Sequence, residues 1–167
     1  MILRMMVIAL MVMVTGCVSS TPLMKHERYY ERTISLDGMH RDQLFDLSRE
    51  WLKRNVAEEA TVVHADRTKW TLECAGRMAR PLSTANLTGV GDLTYLARET
   101  VYEDALTISF ELQSVVVPRT YSTATYFTQG GTFSVVQADL AGARKCFDLL
   151  VNSLRTYLLT RSADGPT

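Results

Sequence analysis

The chain lacks an excess of charge of either sign: 18 Lys and Arg balance 18 Asp and Glu over 167 residues. Gripping nucleic acid or an anionic surface by charge takes a basic patch or stripe, which this balance does not supply, so no nucleic-acid partner is expected. Histidine is scarce, and His26, His40 and His64 share no local motif with a serine or cysteine. Gly-x-Ser-x-Gly is absent, which removes the signature of a nucleophile elbow. Cysteines without neighbouring histidines do not make a zinc set. Gly89-Val90-Gly91 lacks the third glycine of a dinucleotide loop and has no strong strand before it. These gaps leave no catalytic, cofactor-binding or metal residue to nominate.

A long apolar run is missing too. Met5 to Val14 gives ten consecutive apolar residues, where crossing a bilayer takes about 20. Arg4 before the run and the small pair Thr15-Gly16 after it have instead the plan of a cleaved signal peptide. Val14-Thr15-Gly16-Cys17 is similar to the lipobox of bacterial lipoproteins. That resemblance implies cleavage before Cys17, a thioether-linked diacylglycerol on its sulfur and an N-acyl chain, with no other cofactor. Val18 after the cysteine resembles outer-membrane sorting, with the protein facing the periplasm. The expected organisation is a signal peptide over 1–16, a lipidated flexible tether over 17–30, one domain over 31–160 and a polar tail over 161–167.

Removal of residues 1–16 leaves 151, the size of one ordinary domain. Cys74 and Cys146 then remain as a candidate disulfide pair in a compartment that permits one. A bridge would close a loop of about 73 residues and stabilise by roughly 4 kcal/mol in the chain-entropy model. The alternative is two buried thiols that never meet.

Hydrophobic periodicity orders the rest. Glu31 to Leu36 reads as a strand ended by the Asp37-Gly38 turn. Over Arg41 to Val56, Leu44, Leu47 and Trp51 share one helical face, flanked by Phe45, Leu52 and Val56. Trp51, centred on that stripe, reads as core. Thr61 to Asp66 and Trp70 to Ala75 read as a hairpin turning at Arg67-Thr68-Lys69, with Gly76 as its end or a bulge. Arg80 to Asp104 reads as a loop punctuated by Pro81, Asn86, Gly89 and Gly91, with weak helical spacing after Asp92. Leu106, Ile108, Phe110 and Leu112 alternate with polar residues over a strand that Val115 to Val117 extends and Pro118 stops. Thr120 to Thr128 suits an edge strand, Gln129-Gly130-Gly131 a turn, and Thr132 to Val136 a return strand. Ala138 to Thr160 follows i, i+3, i+4, i+7 spacing and closes the chain as a helix.

The order β-α-β-β-β-β-α predicts an α+β domain: an antiparallel sheet of about five strands with both helices on one face, a plan shared by helix-grip folds. Leu44-Phe45, then Trp51-Leu52, then a hairpin, resembles a family of small envelope domains of unknown function with a TATA-box-binding-protein-like fold, over about Arg32 to Leu159. The resemblance implies a fold and an extracytoplasmic setting. It implies no catalytic residue and no DNA binding.

The expected function is therefore a non-catalytic, outer-membrane-anchored lipoprotein acting as a protein-interaction or accessory subunit in the cell envelope. Its partners would be the membrane, through the lipid, and an envelope protein reached by the wet sheet face, the Arg80 to Asp104 segment or Tyr121 and Tyr126 on an edge strand. The alternatives are an envelope hydrolase built around His64, or a small apolar ligand held between helices and sheet.

Overall fold

The computed structural model describes residues 22–57, 63–84, 87–117, 131–135 and 137–163. In chain order it has β1 (Tyr29–Ser35), α1 (Arg41–Asn55), β2 (His64–Asp66), β3 (Thr71–Thr84), β4 (Leu87–Tyr102), β5 (Ala105–Val117), β6 (Gly131–Phe133) and α2 (Gln137–Ala163). The six strands make one antiparallel sheet, ordered β1-β5-β4-β3-β2. β4 occupies one edge of β5, while β1 and β6 share the other, β1 along its first part and β6 at its end.

Alternation makes the sheet two-faced. Leu106, Ile108, Phe110 and Leu112 of β5 are buried, and so are Leu93, Tyr95, Ala97, Glu99 and Val101 of β4. The register aligns them in rows: Cys74, Ala97, Phe110 and Tyr30 form one, Leu72, Glu99 and Ile108 the next. Parity on β5 switches at Gln113, where a bulge opposite Thr94 and Tyr95 returns Val115 to the buried side.

Both helices cover this face. α1 buries Leu44, Phe45, Ser48, Trp51 and Leu52, and α2 buries Leu140, Ala143, Phe147, Val151, Leu154 and Leu158. Trp51 is core, as its place on the stripe predicts. The Phe147 ring lies stacked on Phe110 at 4.4 Å between centroids and meets Tyr95 and Tyr30 at 5.3 and 5.6 Å. Such ring pairs add to the burial of their own area by about 1 kcal/mol each. The helices are joined directly where Trp51 Nε1 donates to Ser153 Oγ (3.4 Å) and the Tyr157 hydroxyl donates to Glu50 (2.9 Å).

At the far end of β5 two turns are pinned together. Asp104 (φ +57°) turns β4 into β5, its carbonyl accepts from Leu36 N–H (2.8 Å), and its carboxylate accepts from Gly38 N–H (3.0 Å). Trp70 also has positive φ (+57°), an unusual backbone for an aromatic residue. It is held by an edge contact with Phe45, by the Arg41 guanidinium 4.6 Å above its ring, and by a hydrogen bond from Val101 N–H.

Four expectations need correction. The Arg80 to Asp104 segment is not a loop with helical spacing: β3 and β4 run through it as a long hairpin. An acid facing inward (Glu99) and a leucine on the opposite side (Leu96) break the alternation that would have revealed β4. Pro81 lies where β2 does not pair β3, a position at which a missing N–H is tolerated. Nor does Gly76 end a strand or mark a bulge: it lies mid-ladder opposite Tyr95, and a Cβ there would overlap the tyrosine ring. Finally, residues 22–30 are not a free tether. Leu23 is buried and its N–H donates to Val135 O (2.9 Å), a 3-10 turn covers Lys25–Arg28, and β1 begins at Tyr29. α2 likewise runs into the expected tail, to Ala163. The expected strand over Thr120 to Thr128, with Tyr121 and Tyr126, lies outside the described residues.

Gly76→Ala is expected to destabilise the domain by about 1–3 kcal/mol, the usual cost of overpacking. Adding Tyr95→Leu should recover part of that loss in a double-mutant cycle read by chemical denaturation. Additive losses would show that the ring does not set the need for glycine.

Candidate functional site

The sheet face away from the helices carries an ordered polar surface. Thr33, Thr107, Thr100 and Thr71 stand side by side across β1, β5, β4 and β3. The Thr33 and Thr107 hydroxyls are 3.0 Å apart. The next row is Glu31, Ser109, Arg98, Glu73 and His64, and the one beyond it Tyr29, Glu111, Leu96 and Ala75.

Arg98 ties the two rows together. Its Nε donates to Glu73 (2.6 Å), and its Nη1 donates to Glu111 (3.1 Å) and the Tyr29 hydroxyl (3.4 Å). Tyr29 in turn donates to Glu111 (2.8 Å), while Lys25 Nζ approaches the other Glu111 oxygen at 3.7 Å. Burial alone would raise the Glu111 carboxyl, but the Tyr29 hydroxyl and the Lys25 and Arg98 charges outweigh it and hold the group below the ordinary carboxylate range. Arg98 is nearly half exposed, and surface ion pairs contribute at most about 1 kcal/mol. The network orders the face more than it stabilises the fold.

Beneath α1 lies a second, dry cluster. Glu99 is completely buried on β4. Neither of its carboxyl oxygens has a hydrogen-bond partner, nor does the buried Ser48 hydroxyl of α1. Burial pushes the Glu99 carboxyl up to about 8, against an opposing pull from the neighbouring Ser48 hydroxyl. The group is therefore mostly protonated at neutral pH. Cys74, beside it on β3, is pushed up to about 11, first by burial and then by the Glu99 charge when present. A thiol this far from ionisation is inert.

The residues nominated from sequence separate in space. Cys74 is buried and Cys146 exposed, and they are not bonded, which corrects the candidate disulfide. Cys146 precedes the buried Phe147 by one residue, about 100° around α2, and so points away from the core stripe. Val14, Thr15, Gly16 and Cys17, like Tyr121 and Tyr126, lie outside the described residues. His64 faces Glu73 across the β2–β3 ladder at the exposed sheet edge, and His40 lies 3.6 Å from Glu103, both of them exposed. Among the described residues no three His, Cys, Asp or Glu side chains gather as a metal site, and no helix is long and apolar enough to cross a membrane. Sequence reasoning missed Glu99 and Arg98. The available signal was parity: Glu99 shares that of Leu93, Tyr95 and Val101, and Arg98 that of Thr94 and Thr100.

The buried acid makes stability pH-dependent. Between about pH 4.5 and 8 the unfolded chain releases the Glu99 proton while the folded protein keeps it. Stability then falls as pH rises through that window and is insensitive to this group outside it. Denaturant titrations at pH 5 and pH 8.5 should differ by roughly a few kcal/mol more for the native chain than for Glu99→Gln. Equal differences for the two proteins would mean that Glu99 is ionised in the folded state.

A family model described as "Domain of unknown function (DUF4468) with TBP-like fold" matches residues 30–115, just over half of the chain. Two solved structures share the architecture. A TBP-like protein from Parabacteroides distasonis is similar with a TM-score of 0.57 and 13% identity, over 78% of this chain and 92% of that one. A DUF4468 family protein from Bacteroides ovatus is similar with a TM-score of 0.54 and 15% identity, over 84% of this chain and 91% of that one. No curated protein matches the chain. The likeness to these structures is one of fold. With a helix-covered sheet in that architecture and a family match across β1 to β5, the chain belongs to the DUF4468 family of TBP-like domains.

Proposed function

We propose that the chain is a non-catalytic lipoprotein of the bacterial outer membrane, anchored by lipid on Cys17 and facing the periplasm. Its open sheet face docks an envelope protein. The observation that carries this reading is the sidedness of the sheet: two helices take one face, and the other presents a row of four threonines, Arg98 with its acids, Tyr29 and Leu96. The threonine row and Tyr29 suit protein contact because each side chain offers apolar surface together with a hydrogen-bonding group. The anchor reading rests on the apolar run from Met5 to Val14 ending in Val14-Thr15-Gly16-Cys17.

Two features weigh against the alternatives. A hydrolase needs a nucleophile, a base and an orienting group within reach of substrate, yet Ser48, Cys74 and Glu99 are all buried, and His64 has Glu73 opposite it on the edge strand. A ligand held between helices and sheet would have to displace the Tyr30, Phe147, Phe110 and Tyr95 rings, which pack there within about 6 Å of one another.

Cys17→Ser should move the protein from the membrane fraction to the soluble one. Extraction of the unaltered protein in mild detergent should recover a stoichiometric partner that Thr100→Arg loses without a change in melting temperature. A chain that purifies alone, or one whose partner is indifferent to Thr100→Arg, contradicts the docking role. Membrane association that survives Cys17→Ser contradicts the anchor.

A further inference from the structure

We infer that the turn at Met24 to His26 sits in the phospholipid headgroup layer and holds the corner of the sheet where β1 gives way to β6, beside Gln113, against the bilayer. This rests on the proposed lipid at Cys17. The fold begins at Leu23: its side chain is buried, its N–H is bonded to Val135, and its carbonyl accepts from Arg28 Nε (2.8 Å) and Nη2 (2.6 Å). Arg28 Nη1 also reaches the carbonyl of the bulged Gln113 (3.4 Å), fastening the entry to the sheet. Only Val18 to Pro22 separate Leu23 from Cys17. Fully extended, that stretch spans about 20 Å, and the headgroup region itself takes up roughly 5–8 Å of it. A lipid-linked Cys17 is thus a short leash, and the side of the domain around Leu23 must lie next to the membrane.

The residues on that side fit the place. Met24 is 67% exposed, a large apolar side chain left in solvent immediately after the buried Leu23. Lys25 and His26 follow it, both exposed. The acid facing Lys25 is Glu111, 3.7 Å from its ammonium, but the Lys25 side chain remains 80% exposed and able to share its charge with a phosphate. The carboxylate of Glu27 is turned back to accept from Met24 N–H (2.8 Å), and Arg28 is committed to backbone carbonyls. A thioether beside an exposed ammonium matches the boundary between acyl chains and headgroups: the methionine enters the apolar side and the lysine stays at the phosphates. The opposite end of the sheet is the β4–β5 turn, where Tyr102 is 47% exposed. Along β5 it lies about 20 Å from the level of Glu111.

The test uses the full-length lipidated protein in vesicles of phosphatidylethanolamine and phosphatidylglycerol. Cys146→Ser removes the exposed thiol, while Cys74 is buried and a thioether on Cys17 does not react. Spin labels on Met24→Cys and, separately, on Tyr102→Cys then report collision with a bilayer-partitioned relaxant and with an aqueous one. Both positions are exposed, so neither change threatens folding. A severalfold preference for the bilayer relaxant at position 24, with the aqueous one dominant at 102, is the expected result. If the protein carries diacylglycerol by mass spectrometry and floats with vesicles, yet position 24 is as aqueous as 102, the headgroup contact is overturned and the anchor stands. If no lipid is found on Cys17, the anchor and the contact fall together.

Discussion

Everything in this molecule depends on the sheet having one dry face and one wet face. The dry face is fixed by rows of side chains that meet across strands, and a slip of one residue would turn each row inside out. Several features hold the register at once: the bulge at Gln113, the fit of the Tyr95 ring over Gly76, and the Phe147 ring stacked on Phe110. The wet face is the same constraint seen from behind. Wherever a hydrophobe is buried on β4 or β5, its neighbours Thr94, Arg98, Thr100, Thr107 and Ser109 are delivered to the open side.

Glu99 is the exception that reveals how firmly this alternation is held. It occupies a core position between Leu72 and Ile108 in its row, with no partner for either oxygen. Leaving such groups unpaired costs about 1–3 kcal/mol each, and ionising the carboxyl there would cost more, so the protein keeps it neutral. The surrounding apolar burial is large enough to tolerate the cost. Truncating a single buried phenylalanine typically loses 3–5 kcal/mol, and the core holds Phe45, Phe110, Phe147 and Trp51 together.

Elements whose pattern was unbroken were legible in the sequence. Residues 106–112, with their strict alternation, and both helices, with their apolar stripes, are found within a few residues of the expected ends. The α+β sheet with its helices on one face follows from them, while the TBP-like fold came through the family resemblance carried by Leu44-Phe45 and Trp51-Leu52. Two classes of feature were not legible. The first was β4, where inward Glu99 and outward Leu96 exchange the polarity that periodicity depends on, while Pro81, Gly89 and Gly91 imitate a loop. The second was anything decided by three-dimensional neighbours. Leu23 reads as one apolar residue in a polar stretch until Val135 is beside it, and the side of α2 that Cys146 occupies is decided by the burial of Phe147. The Arg98 network is of this second kind, since its members come from β1, β3, β4, β5 and the turn at Lys25.

In the proposed role the threonine row of the open sheet face receives an envelope partner. The most direct measurement is the rate of thiol modification at Thr107→Cys, on a Cys146→Ser background, in intact envelopes and in the detergent-purified protein. A docked partner requires rapid modification of the purified protein and marked protection in the envelope. Equal rates in the two settings would contradict a docked partner, and slow modification of the purified protein would contradict an open face.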